Sequence, residues 1–112
     1  MSDSTSIEVD CQTVAARLRD DEYFVLLDCR EADEHAIVRI AAAKLLPMSQ
    51  LAARLGELES LRDREIAVHC HHGGRSLKVA HWLRSQGFAR AQSMAGGIDA
   101  WALEIDRSLP RY

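Results

Sequence analysis

Short apolar runs, each trailed within a few positions by a stretch of helical periodicity, constrain this chain more than any other feature. Phe24-Val-Leu-Leu ends at Asp28, and Ile66-Ala-Val-His ends at Cys70. Neither alternates polar with apolar, which is the pattern of strands covered on both faces. Ala43 to Leu46, closed by Pro47, and Ala91 to Met94 are shorter runs of the same kind. Between them lie helical patterns. Asp10 suits the N-cap of a helix over Cys11 to Arg19, with Val14, Ala15 and Leu18 inward. Glu31 to Ala36 reads as a helical turn, and Ser49 as the N-cap of a helix carrying Leu51, Ala52 and Leu55. Leu58 and Leu61 mark a further helical piece. Arg75 to Gln86 predicts a longer helix ended by Gly87, with Phe88 folding back, and Gly96-Gly97 turns the chain into a final helix over Ile98 to Leu103. Strand and helix in alternation predict an α/β fold, a parallel sheet with helices on both faces.

A chain of 112 residues with 47% apolar and 28% charged residues predicts one domain, spanning 1–112, able to bury a core without staples. The polar residues 1–6 are expected to be loose. A net charge of −3 gives no electrostatic case for nucleic acid or an anionic membrane as partner, and no uncharged stretch is long enough to span a bilayer. The N-terminus lacks the basic and apolar regions of a secretion signal, and three cysteines without framework spacing read as reduced thiols, so a cytoplasmic location is expected.

The informative segment is Val68-His-Cys-His-His-Gly-Gly-Arg-Ser76. In parallel α/β sheets, binding sites lie beyond the carboxyl ends of the strands, where Cys70 falls. A cysteine between a buried strand and a helix N-terminus faces loop amides and the positive end of the helix dipole, which together form an anion nest. Gly73 and Gly74 can adopt positive φ and curl the backbone around the sulfur, and Arg75 adds a cation. Each favours the thiolate, so a Cys70 pKa below the free value of about 8.5 is expected.

Cys70, four intervening residues and then Arg75-Ser76 resembles the active-site loop of the rhodanese-like sulfurtransferases. Leu27-Asp-Cys-Arg-Glu31 with Glu34 is similar to that family's Asp-x-Arg-Glu segment; Arg84-Ser-Gln-Gly-Phe88 and Met94-Ala-Gly-Gly-Ile-Asp-Ala-Trp101 resemble its Gly-Phe and Gly-Gly-x-x-x-Trp elements. The resemblance covers nearly the whole chain. It implies a three-layer α/β/α fold with a five-stranded, mainly parallel sheet. It also implies a persulfide on Cys70, filled from thiosulfate or a persulfide donor and emptied onto cyanide, a thiol or a sulfur-carrier protein. By the same resemblance, Arg75 holds the loop and helps to bind an anionic donor. His71, His72, Gly73 and Gly74 supply loop amides, Ser76 lines the pocket, and no cofactor is needed. The family's usual Gly-His-Ile-Pro-Gly-Ala segment reads Val38-Arg-Ile-Ala-Ala-Ala43 here, with Arg39 where a histidine is commoner. Two other readings compete. Related phosphatases and arsenate reductases use a similar cysteine–arginine loop with one more intervening residue, and a non-catalytic interaction module would need neither Cys70 nor Arg75.

Other residues have plainer readings. His69, Cys70, His71 and His72 are adjacent and cannot all point at one ion, and no pair with zinc spacing lies elsewhere, so no metal is expected. Asp28 and Arg30 read as a salt bridge or cap at a strand end. Cys11 reads as structural, Trp82 and Trp101 as packing, and Cys29 as a residue beside the strand end that could resolve Cys70 only if the fold brings them together.

Overall fold

The computed structural model describes residues 6–112. Of the residues expected to be loose, 1–5 lie outside the described residues, whereas the Ser6 carbonyl accepts hydrogen bonds from Arg84 and Gln92 and is held against the sheet.

Five parallel strands, β1 (Glu8–Val9), β2 (Val25–Asp28), β3 (Lys44–Leu45), β4 (Ile66–His69) and β5 (Ala91–Met94), form one sheet in the order β1-β5-β4-β2-β3. The three-layer α/β/α architecture with a five-stranded sheet is therefore as expected. The apolar runs sort by parity, as a strand requires. Leu27, Ile66 and Val68 face one cluster with Leu51, Leu58, Val79, Leu83 and Phe88. Leu26 and Ala67 face the other, with Val14, Phe24, Met94, Ile98 and Trp101. Helix α3 (Gly74–Ser85) covers the first face, and α1 (Cys11–Asp20) and α4 (Gly97–Glu104) cover the second.

The caps explain where the helices start and stop. Asp10 accepts from the Thr13 amide at 2.8 Å and starts α1. Helix α2 (Ala32–Ile37) begins with a reciprocal capping box between Glu31 and Glu34. Helix α3 ends in a Schellman motif: the Phe88 amide bonds Leu83 and the Gly87 amide bonds Arg84, with Gly87 at φ +98°.

Two expectations need correction. Lys44–Leu45 is not a strand buried on both faces: it lies at the sheet edge, pairs only with β2, and leaves Lys44 exposed. Ser49 caps no α-helix. The chain there runs through 3₁₀ turns at Met48–Gln50 and Leu55–Leu61, and the Ser49 hydroxyl donates to Glu31 instead at 2.6 Å. Leu55, Leu58 and Leu61 recur every third residue, which aligns them on a 3₁₀ turn and lets Leu58 bury completely. The Val38–Ala43 segment turns without glycine or proline; Val38 and Ile40 bury into the second cluster while Arg39 stays exposed.

Candidate active site

Cys70 follows the last residue of β4, and its sulfur sits where the β4–α3 loop closes. The Gly73 amide donates to Sγ at 3.1 Å and the Ser76 amide at 3.3 Å. The Ser76 hydroxyl oxygen lies 3.5 Å from the sulfur and 2.7 Å from the hydroxyl of Ser93 on β5. When Cys70 is ionised, Ser93 can donate to Ser76 and Ser76 to the thiolate. Side-chain donors from Cys29 and Ser76, with the two amides, outweigh burial and bring the Cys70 pKa down to about 4.

The loop's shape depends on a backbone conformation only glycine adopts freely. Gly73 has φ +112°, and a Cβ there would lie 3.3 Å from the Gly96 amide nitrogen. Gly74, expected to share this role, does not: it opens α3 with negative φ and open space at its Cβ position. Behind the loop, the first turn of α4 grips its carbonyls. The Ile98 amide donates to Cys70 at 2.9 Å and the Asp99 amide to His71 at 3.1 Å. That approach leaves no room at Gly97, where a Cβ would fall 2.5 Å from both carbonyl oxygens.

Arg75 does not aim its charge at the sulfur. Its guanidinium forks onto Glu34 of α2 at 2.6 and 2.8 Å, which brings the Glu34 pKa down to about 2. Thiolate stabilisation thus comes mainly from short-range donors, and Arg75 ties the start of α3 to α2. Arg30 is the anchor behind this contact. Wholly buried, it spends all five N–H groups on the Asp28 carboxylate, the carbonyls of Glu34 and Val38, and the Tyr112 hydroxyl. Tyr112 in turn donates to Glu34 at 2.9 Å. The Asp28–Arg30 pair is the salt bridge anticipated. Buried His69 stays below its ordinary pKa because desolvation disfavours its cation.

His71 and His72 form the outer rim. Their rings stack at 3.8 Å, and the His71 ring stacks on Tyr112 at the same spacing. Ligand atoms of His71, His72 and Asp99 lie within 4.8 Å of one another, a grouping that adjacency in sequence does not reveal. Asp99 is already paired with the Arg111 guanidinium at 2.8 Å, a charge that opposes a cation there. Beside α3, an apolar groove of about 280 Å³ is lined by Met48, Leu51, Ala52, Lys78, Val79 and Trp82.

The Rhodanese-like domain model matches residues 10–104, which takes in the Cys70 loop, the Asp28–Arg30 knot and Gly96-Gly97. The chain belongs to the rhodanese-like domain family. Among its relatives, a sulfurtransferase of Allochromatium vinosum is 36% identical, over 85% of this chain and 87% of that protein. The chloroplastic rhodanese-like/PpiC domain-containing protein 12 of Arabidopsis thaliana is 37% identical over 78% of this chain, but the match spans only 30% of that longer protein. The crystal structure of a rhodanese-related protein from Thermoplasma volcanium superposes with a TM-score of 0.78 at 28% identity, covering 89% of this chain and 94% of that one.

Within this rhodanese-like domain, the sequence groups Cys70, Gly73, Arg75 and Ser76 in one loop but leaves unplaced three residues that the structure brings to it. Ser93 could have been noticed as a polar residue at an inward position of a buried strand. Glu34 was noted only through the family pattern, and no sequence signal links it to Arg75. Cys29 is the third, and depends on strand register.

Proposed function

We propose that this rhodanese-like sulfurtransferase domain carries sulfane sulfur as a persulfide on Cys70, taking it from thiosulfate or a persulfide donor. The acceptor in this reading is a thiol, cyanide or a sulfur-carrier protein. The observation that carries the proposal is the Cys70 sulfur itself, buried yet met by two backbone amides and a hydroxyl.

The chemistry runs in two displacements. The Cys70 thiolate attacks the outer sulfur of thiosulfate, the sulfur–sulfur bond breaks, and sulfite leaves with the electron pair. The negative charge then resides on the outer sulfur of Cys70–S–S⁻. An acceptor nucleophile attacks that outer sulfur, and the thiolate returns as leaving group. A leaving thiolate of low pKa departs faster, so the donors that hold Cys70 ionised serve the second step. In this reading Gly73 and Ser76 stabilise the charge, and the first-turn amides of Gly74 and Arg75, which have no intrahelical partner, are available to an outer sulfur. His71 and His72 form the rim that donor and acceptor cross. Arg75, held by Glu34, fixes the loop and lends residual positive charge to an anionic donor.

The test is the intact mass after incubation with thiosulfate. The wild type is expected to gain one sulfur atom that cyanide removes as thiocyanate, and Cys70→Ser is expected to gain none while keeping its circular dichroism. Equal thiocyanate production by Cys70→Ser would refute the assignment. A four-residue loop with its amides drawn onto Sγ also predicts no useful hydrolysis of p-nitrophenyl phosphate, the activity that the phosphatase reading requires.

A further inference from the structure

Cys29 supports the Cys70 thiolate but forms and breaks no bond in the two displacements. Cys29 follows β2 as Cys70 follows β4. The two strands are paired in parallel with Asp28 opposite His69, so the next residues, Cys29 and Cys70, stand side by side. The Cys29 amide donates to the His69 carbonyl at 3.0 Å and its carbonyl accepts from Met48 at 2.9 Å, which pins its backbone on both sides. Both side chains enter the same core cluster on the α3 side of the sheet, and both residues are about 1% exposed. Neighbouring strands lie about 4.8 Å apart, inside the range of about 4.4–6.8 Å between Cα atoms that a disulfide spans.

We propose that Cys29 resolves the Cys70 persulfide, releasing hydrosulfide and leaving a Cys29–Cys70 disulfide. This rests on the persulfide reading above. The Cys29 sulfur attacks Cys70 Sγ, forming the new sulfur–sulfur bond as the bond from Sγ to the outer sulfur breaks. The outer sulfur leaves as HS⁻, having taken the Cys29 proton: Cys29–SH plus Cys70–S–S⁻ gives the disulfide plus HS⁻. The sulfane sulfur is reduced by two electrons and the two cysteine sulfurs are oxidised by one each. Two equivalents of a thiol reductant then reduce the disulfide through a mixed disulfide, leave as their own disulfide, and restore both cysteine thiols.

The resting ionisation is consistent with this order of events. Beside the Cys70 thiolate, Cys29 is held protonated far above its usual range, mainly because its S–H donates to that thiolate. Cys29 therefore guards an empty site without attacking anything. Loading a sulfur moves the charge outward, onto the atom that can accept the Cys29 proton. Gly73 and Ser76 hold the Cys70 sulfur from the loop while Cys29 reaches it from β2. A persulfide not collected by an acceptor would thus be discharged as sulfide, giving the protein a thiol-dependent sulfide-releasing activity.

The experiment loads the full chain with thiosulfate anaerobically, without added thiol, and sweeps volatile sulfide into a zinc acetate trap. Intact mass and an unreduced digest follow the cysteines. The wild type is expected to gain one sulfur transiently, then lose it with two hydrogens, release sulfide and yield a linked Cys29–Cys70 peptide. Cys29→Ser, which keeps a donor beside Cys70, is expected to hold its sulfur and release no sulfide; Cys29→Ala serves the same purpose if the serine variant misfolds. A wild type that keeps its added sulfur with neither sulfide nor the linked peptide overturns the proposal and leaves the persulfide reading standing. So does equal sulfide release by a folded Cys29 variant. A wild type that never gains a sulfur overturns both.

Discussion

The hydroxyl of Ser76 offers a sharp test of how the site holds its thiolate. Bringing Cys70 from an ordinary 9.0 to about 4 requires the fold to favour the charged form by about 7 kcal/mol. Burial opposes this, so the Cys29 thiol, the Ser76 hydroxyl and the amides of Ser76 and Gly73 must together supply more than that. A hydrogen bond to a charged group is worth about 1.5–3 kcal/mol, so removing one of the four should raise the midpoint by about one to two pH units. Ser76→Ala removes the hydroxyl and keeps the amide. Its Cys70 is expected to titrate between about 5 and 6, followed as the pH dependence of iodoacetamide alkylation. The two proteins should also differ at neutral pH, where both are fully ionised. Thiolate nucleophilicity rises by about 0.4–0.5 log units per unit of pKa, so the variant should alkylate about three times faster for each pH unit gained. A midpoint that stays put, or a neutral-pH rate that falls in a folded variant, would refute the idea that short-range donors set the ionisation.

Three further outcomes follow from the geometry. Because Cys70 titrates lower in the folded chain than in the unfolded one, its ionisation stabilises the fold fully above about 9 and not at all below about 4; urea melts should show wild-type stability gaining on Cys70→Ser by up to about 1.4 kcal/mol per pH unit across that window. Arg30→Ala strands the buried Asp28 carboxylate and three further acceptors, and chemical denaturation is expected to show a loss of about 3–5 kcal/mol. Gly97→Ala must push the carbonyls of Cys70 and His71 away, so it should cost about 1–3 kcal/mol and slow sulfur loading, whereas Gly74→Ala meets open space and should gain about 0.4–1 kcal/mol.

The contrast between Gly73 and Gly74 shows what a sequence can reveal. Both precede Arg75, and nothing in their order tells that one curls the loop while the other begins a helix. Element order was legible because the apolar runs around Leu26 and Val68 had to be strands, and Gly87 had to end a helix. The two-residue strand Glu8–Val9 was not, because pairing with β5 and not its own pattern makes it a strand. The helical piece at Leu58 and Leu61 is present as a 3₁₀ turn, but the α-helix expected from Ser49 through Leu55 is not, because the spacing of Leu51 and Leu55 does not separate an α-helix from successive tight turns. At the site, the local parts were legible: the proposed nucleophile, its nest and the helix start lie within a few residues. The partners that tune them come from β2, α2, β5 and the C-terminal residues, and only register and packing bring them in.

The Arg75 contact shows why this matters for mechanism. A cation five residues after a nucleophile invites the reading that it lowers the thiol's pKa. Yet its charge is largely answered by Glu34, while the sulfur's own donors suffice to hold the thiolate. The arginine sits instead at the end of a chain of contacts. Asp28 at the tip of β2 fixes Arg30, Arg30 fixes α2 and its C-cap through the Glu34 and Val38 carbonyls, and the Glu34 carboxylate fixes Arg75 on α3. The loop that carries Cys70 is thus clamped between two strand ends on one side and a helix tethered to the neighbouring strand on the other. A nest of this kind stabilises charge only if its amides cannot swing away when the sulfur gains an atom and the charge moves outward. In the proposed reaction the ion pair therefore acts through rigidity more than through its field. On that basis Arg75→Ala should loosen the loop and slow transfer while moving the Cys70 midpoint less than Ser76→Ala does. The opposite ranking, read from the same alkylation profiles, would restore the arginine as the source of the thiolate.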